Sequence, residues 1–304
     1  PTETPGKHRA IRGHDRIEDA VMVDQSPIGP TTRSNPASYV GAFDAIRQLF
    51  AAAPVAIERR YTAGTFSFNS GNGRCPACSG NGFVDIEMQF LSDVYLRCPD
   101  CNGTRYRPEV LEVKLEPAAG KSGPMRSIAD VLDMTVTEAL AFFSANREVH
   151  AALRPLSDVG LDYLRLGQPV PTLSGGEAQR LKLAGHLAQA AHRKDDDAGG
   201  SLFLFDEPTT GLHFDDVAKL LGAFGKLLPP GNSPIVMEHN LDVIRAADWT
   251  IDLGPEGGDA GGEIVATGTP DEIAAHPTSH TGKALRDYEA YLIPRPSPLG
   301  RGLG

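Results

Sequence analysis

The chain has 304 residues, 40% of them hydrophobic and 22% charged, with a formal net charge of −10. This is the composition of a soluble globular protein of roughly two domains, and no stretch approaches the roughly 18 apolar residues that a membrane span requires. The first 110 residues carry 12 basic and 12 acidic side chains, so the whole acidic excess lies behind them. Charge alone therefore argues against nucleic-acid binding by residues 111–304 and is neutral for the front.

The opening stretch PTETPGKHRAIRGHD has no apolar core and does not read as a secretory signal, so a cytoplasmic location is expected. It also lacks an initiator Met, which fits a processed chain or a fragment. VMVDQSPIG (21–29) reads as a short buried strand ending at Asp24-Gln25, followed by a Pro/Gly turn. In residues 38–53, Val40, Phe43, Ile46, Leu49 and Phe50 recur at helical spacing. A Gly/Asn-rich run then leads into four cysteines in two pairs, Cys75 with Cys78 and Cys98 with Cys101, spaced C-x2-C-x19-C-x2-C. That spacing reads as a closed four-thiolate zinc site. Gly80 and Gly103, two residues beyond each pair, let backbone amides turn toward the thiolates. Two disulfides or a redox pair are the alternatives, but no secretory signal accompanies them and redox motifs rarely come in matched pairs. Between the pairs, Val84, Ile86, Met88 and Phe90 alternate with Asp85, Glu87 and Gln89, which is strand periodicity. The metal would then clamp the base of a β-hairpin. Arg74, Arg97, Arg105 and Arg107 cluster around the cysteines, where they either meet phosphates or offset thiolate charge.

The only Gly-Lys-Ser is Gly120-Lys121-Ser122, and a phosphate loop G-x4-G-K-[ST] would need glycine where Leu115 stands. Pro117 precedes it and no apolar strand feeds it, so it is not such a loop. SIADVLDMTVTEALAFFSA (127–145) reads as two short helices. In PTLSGGEAQRLKLAGHLAQA (171–190), Leu181, Leu183, Ala184, Leu187 and Ala188 mark a helix. Ser174 is its N-cap and Glu177 completes a capping box. Gly175 and Gly176 leave the first-turn amides uncovered, an anion site for which phosphate is the usual ligand; an ordinary capped helix is the alternative. HRKDDDAGG then reads as a solvated loop. LFLFDEPTTGL is an apolar strand ending in Asp206-Glu207, at the strand end where α/β proteins bind ligands. There one acid can hold a Mg2+ shell and the next can polarise a water. Residues 233–253 read strand, turn, helix, strand, with His239 directly after the first strand. Beyond about residue 285 the Pro/Gly-rich tail is expected to be disordered. Strands alternating with helices imply an α/β fold with a mainly parallel sheet.

The order of these elements resembles the ATP-binding cassette (ABC) ATPases: LSGGEAQR as the signature, the Asp206-Glu207 strand as Walker B, a D-loop after it, a switch histidine at His239, and Gln25 in the Q-loop. Longer blocks are similar to the C-terminal half of the UvrA family over roughly residues 10–285, among them DQSPIGPTTRSNPASYVGAFDAIRQLF, FSFNSGNGRCPAC, DVGLDYLRLGQPVPTLSGGEAQRLKLA and MEHNLDVIRAADWTIDLGPEGGDAGGEIVATGTP. The resemblance implies a partial ABC-type core over 1–60, a zinc-hairpin insert over 61–125, the helical signature region and C-terminal core over 126–285, and a tail over 286–304. It implies ATP and Mg2+ beside structural Zn2+, with Gln25, Ser174, Gly175, Gly176, Glu177, Gln179 and Asp206 binding ATP or Mg2+, and Glu207 and His239 catalytic. The signature amides of that family meet the γ-phosphate of an ATP held by a different cassette. The implied partners are damaged double-stranded DNA, a UvrB-like repair subunit and a second copy in a homodimer, with no membrane. The phosphate loop is expected ahead of residue 1, so ATP hydrolysis by the chain alone is not expected. A second resemblance, of CPACSGNG to the CxxCxGxG repeats of DnaJ-type chaperones, implies a non-enzymatic zinc adaptor. Those chaperones carry four such repeats and no phosphate-site motifs.

Overall fold

Residues 8–29, 33–86, 94–118, 123–190, 200–228, 231–254 and 261–292 are described by a computed structural model of the chain. They fall into two compact units, Pro1–Val236 and Met237–Gly304, so residues 61–125 lie inside the first.

The first unit opens with β1 (Ile17–Val23), followed by α1 (Pro36–Tyr39), α2 (Ala42–Ala51) and α3 (Pro54–Glu58). The helix expected over 38–53 is thus divided: Gly41 sits at φ +78°, a left-handed conformation that stops α1 and starts α2. The cysteine-bearing segment holds β2 (Phe83–Ile86) and β3 (Val94–Arg97), paired antiparallel with Phe83 opposite Arg97. The expected hairpin is present; its tip, with Met88 and Phe90, lies outside the described residues, as do Lys121 and Ser122. Next come α4 (Pro108–Leu111), the short antiparallel pair β4 (Lys114–Leu115) and β5 (Arg126–Ser127), and the helices α5 (Ile128–Asp133), α6 (Val136–Phe142) and α7 (Arg147–Asp158). These helices are short, so their ends matter. Ser127 with Asp130, and Thr135 with Glu138, close complete capping boxes, and Asn146 caps α7 through the Val149 amide.

α8 (Gly175–Ala190) leads to β6 (Gly200–Asp206), α9 (Phe214–Leu227) and β7 (Ser233–Met237). The sheet order is β1-β6-β7, and β1 runs parallel to β6 with Val23 opposite Phe205. A parallel neighbour demands a crossover, and here everything between residues 24 and 199 supplies it. β6 is central, and its Phe205 packs on Phe224 of α9 at 4.7 Å between ring centroids. The core then continues through the fully buried Leu153, Leu156, Leu161 and Leu166 and the aromatic group Phe50, Phe66 and Phe68.

The second unit contains α10 (Leu241–Arg245), the antiparallel pair β8 (Thr250–Gly254) and β9 (Glu263–Gly268), α11 (Pro270–Ala275) and α12 (His280–Leu292). Asp252, buried in β8, accepts hydrogen bonds from Ser279 Oγ at 2.6 Å and Thr281 Oγ1 at 2.7 Å, which fastens the ribbon to the start of α12. α12 continues through Leu292, so residues 286–292 of the expected disordered tail are helical; residues 293–304 lie outside the described set. No described helix is long and apolar enough to cross a membrane.

Leu156 on α7 is completely buried. Replacing it with Ala is expected to lower unfolding stability by about 2–5 kcal/mol, read as a reduced urea midpoint; an unchanged midpoint would show that this layer is not packed.

Candidate nucleotide and metal sites

Three residues on one face of α8, at positions 175, 179 and 182, meet the end of β1 and the turn beyond it. Their spacing of four and then three residues is what places them in line. At the first, a Cβ on Gly175 would lie 3.1 Å from Gln25 Oε1, so only glycine lets the Gln25 side chain come this close without displacement. At the second, the Gln179 amide donates to Val23 O at 2.9 Å and to Asp206 O at 2.8 Å. At the third, Lys182 Nζ donates to Asp24 Oδ1 at 2.5 Å, Ser26 Oγ at 2.8 Å and Asp24 O at 3.1 Å. The Lys182 ammonium and the Ser26 hydroxyl hold the Asp24 carboxyl well below its ordinary range, at about 2.

The helix tip carries the expected capping box. The Ser174 amide and hydroxyl donate to Glu177 Oε2 at 2.8 and 2.9 Å, and the Glu177 amide donates back to Ser174 Oγ at 3.4 Å. Burial pushes the Glu177 carboxyl up, but the Ser174 donors and the Tyr163 hydroxyl at 2.7 Å outweigh it and leave it below the usual range. A Cβ on Gly176 would stand 3.0 Å from Thr210 O, so the turn after β6 presses directly on the tip. That turn begins at Glu207, whose φ of +44° is strained for a non-glycine residue. Its carbonyl accepts from the Thr210 amide at 3.1 Å, and its carboxylate from Thr210 Oγ1 at 3.4 Å. Asp206 and Glu207 both present exposed side chains at the C-terminal end of β6.

Gln25, Gly175, Gly176, Asp206 and Glu207 are therefore gathered at the strand ends. Gln179, only 1% exposed, sits behind them and braces the two strand ends. Its place one turn inside the helix points it at the sheet, a consequence of periodicity that the motif alone did not reveal. His239 belongs to the second unit, exposed in the turn before α10. Glu238 orders this turn by accepting from the His239 and Asn240 amides at 2.9 and 3.2 Å.

All four cysteines are buried, and their sulfur atoms lie within 4.8 Å of one another, with Cys78 and Cys101 at 3.7 Å. A tetrahedral site with metal–sulfur bonds of about 2.3 Å places its sulfurs about 3.8 Å apart, so the four donors fit such an ion. The two halves of the module repeat each other. Asn81 and Thr104 each donate to the carbonyl of the preceding second cysteine at 2.9 Å. Gly80 and Gly103 stand at φ +86° and +84°, and Gly82 and Arg105 at +77° and +73°. The halves also exchange bonds: Cys98 N donates to Gly82 O, and Cys75 N to Arg105 O, both at 2.9 Å. Burial pushes the Cys101 thiol up to about 12 and also raises Cys78, whereas the Cys101 backbone amide lowers Cys98. A bound cation is what would keep all four as thiolates.

The arginines separate into two groups. Arg97 and Arg107 are exposed. Arg74 spends its guanidinium on Gly71 O and Asn69 O, both at 2.8 Å. Arg105 is 3% exposed, donates to Gly167 O at 3.0 Å and lies over the Phe68 ring at 5.0 Å. Arg105 is thus removed from any DNA-facing surface. Its stem fits inside because the half-repeat turns its backbone left-handed there.

The UvrABC system protein A of Methanothermobacter thermautotrophicus is 52% identical over 299 residues, covering 98% of this chain and 30% of that protein. That of Thermus thermophilus is 57% identical over 271 residues, covering 89% of this chain and 27% of that protein. The crystal structure of UvrA2 from Deinococcus radiodurans superposes with a TM-score of 0.78 at 48% identity, over 90% of this chain and 32% of that one. Over nearly its whole length the chain is thus similar to one part of the UvrA proteins. It spans about 30% of the length of the curated relatives it matches. No family model matches it.

The Asp24–Lys182 pair gives this chain a pH signature. The folded Asp24 pKa lies below the unfolded 3.8, so the stabilisation is fully present above about pH 4 and is lost as pH falls through about 2. With the Asp24 side chain 38% exposed, the contribution after solvent screening is on the order of 1 kcal/mol. In Lys182→Ala the Asp24 carboxyl is expected to titrate near its ordinary range, read by 13C NMR of the carboxyl; an unshifted midpoint would dismiss the pair.

Proposed function

We propose that this chain supplies the signature helix, Walker B strand and switch-histidine segment of an ABC-type ATPase acting in UvrA-type recognition of damaged DNA. The observation that supports it is the meeting of Gln25, Gly175, Gly176 and the Thr210 carbonyl beside the exposed Asp206 and Glu207. An ordinary capped helix would need neither glycine pressed against a glutamine amide nor a strained acid one turn away.

In this reading Asp206 would hold the water shell of Mg2+ and Glu207 would polarise the attacking water, while His239, in the second unit, is the candidate switch histidine. Ser174, Gly175 and Gly176 form the tip presented to an ATP carried by a second cassette. Glu177 holds Ser174 in place, and Gln179 sets the distance between the strand ends. No G-x4-G-K-[ST] occurs in the 304 residues, so the phosphate-gripping loop is supplied from outside them. The four thiolates hold one structural Zn2+, whose chemistry is to neutralise them and close the knuckles. Damaged duplex DNA, a UvrB-like subunit and a second copy are the proposed partners.

The purified chain is expected to bind one Zn2+, read by metal release on thiol titration, and to turn over no more ATP than its Glu207→Gln variant. Robust turnover abolished by Glu207→Gln would overturn the need for an outside loop. Duplex binding by the double variant Arg97→Ala, Arg107→Ala is expected to be weaker, with the salt slope reduced by about 2; an unchanged slope would remove these arginines from the DNA surface.

A further inference from the structure

Gly82 and Arg105 are equivalent in the two half-repeats, with φ of +77° and +73° and the same backbone bond to the opposite half. Glycine adopts that conformation without strain, and arginine does not. An arginine at such a place calls for a reason beyond the knuckle. Its side chain runs back across the partner half, where a Cβ on Gly82 would stand 2.8 Å from Arg105 Cγ. Gly82 is the residue whose amide donates to Cys78 Sγ at 3.2 Å. From there the guanidinium crosses Phe68 and ends on Gly167 O. Gly167 belongs to the segment that enters α8: Leu166 N donates to Met134 O at 2.9 Å, Gly167 N to Leu132 O at 2.7 Å and Val170 N to Ser34 O at 2.9 Å. Seven residues later stands Ser174.

We propose that Arg105 is a positioning residue that ties the metal-loaded cysteine module to the approach segment of the signature helix. It rests on the reading of 174–177 as a signature. When metal leaves, the knuckle that holds the Arg105 backbone opens, because the Arg105 carbonyl is bonded to the Cys75 amide. The strut then loosens at its backbone end, and residues 166–178 lose a restraint that they have only in the loaded state.

Amide hydrogen exchange of the full chain tests this without ATP or DNA, so its failure and that of the ATPase reading are distinguishable. In the wild type, stripping zinc with a chelator is expected to speed exchange in 166–178 roughly ten-fold, the size of one lost charge-assisted hydrogen bond. Arg105→Gly relieves the strained φ, so it is expected to keep one Zn2+ per chain, yet to show that faster exchange already in the loaded form, with little further change on stripping. Arg105→Lys, which keeps charge and donor, is expected to recover part of the protection. Unchanged exchange in 166–178 on stripping the wild type, or full protection in zinc-loaded Arg105→Gly, overturns the proposal.

Discussion

The structure around the nucleotide motifs depends on one side chain, the buried amide of Gln179, which bonds the last carbonyls of two adjacent parallel strands at once. Parallel strands leave their terminal carbonyls without ladder partners, and an orphaned buried carbonyl costs as much as a lost hydrogen bond. A side-chain donor set into the cleft between β1 and β6 resolves both. Because it is carried on α8, it also fixes the helix relative to the sheet. Gly175 one turn earlier then has to face Gln25, and Lys182 nearly one turn later has to face Asp24. One anchored residue sets the register of the whole polar seam.

A second constraint governs residues 74–107. Two loops of identical backbone shape bring four sulfurs together, and each loop completes the other through a backbone hydrogen bond. A metal held by the four sulfurs is the natural source of cohesion there. The module is nonetheless joined to the larger core through Phe68, which packs at a tilt against Phe43 of α2 with ring centroids 4.7 Å apart, and through the Tyr106 hydroxyl, which donates to Phe66 O at 2.7 Å.

Much of this was legible in the sequence. Spacing alone assembled the cysteine cluster, alternation placed β2, and the serine and acid at 174 and 177 announced their capping box, because each is a local rule with few ways to be satisfied. The directions in which Gln179 and Arg105 point were not legible, for one reason. Both are polar residues beside a functional motif, and sequence proximity says nothing about which way a side chain points. In Gln179 the helical period decides it, and in Arg105 a left-handed backbone that only comparison of the two half-repeats exposes. The break at Gly41 was hidden because the apolar spacing of residues 40–50 continues across it. The helix through Leu292 was missed because the Pro/Gly-rich composition beyond it was extended backward over a segment that contains neither residue.

The mutual closure of the two cysteine loops bears on how the protein is made. Synthesis proceeds from the N-terminus, and Cys75 and Cys78 precede Cys98 and Cys101 by about twenty residues. A nascent chain bearing only the first pair has neither the carbonyl that receives the Cys75 amide nor enough sulfur donors to enclose an ion. The complete set of four sulfurs and both exchanged backbone bonds is therefore available only once residue 105 has cleared the ribosome exit.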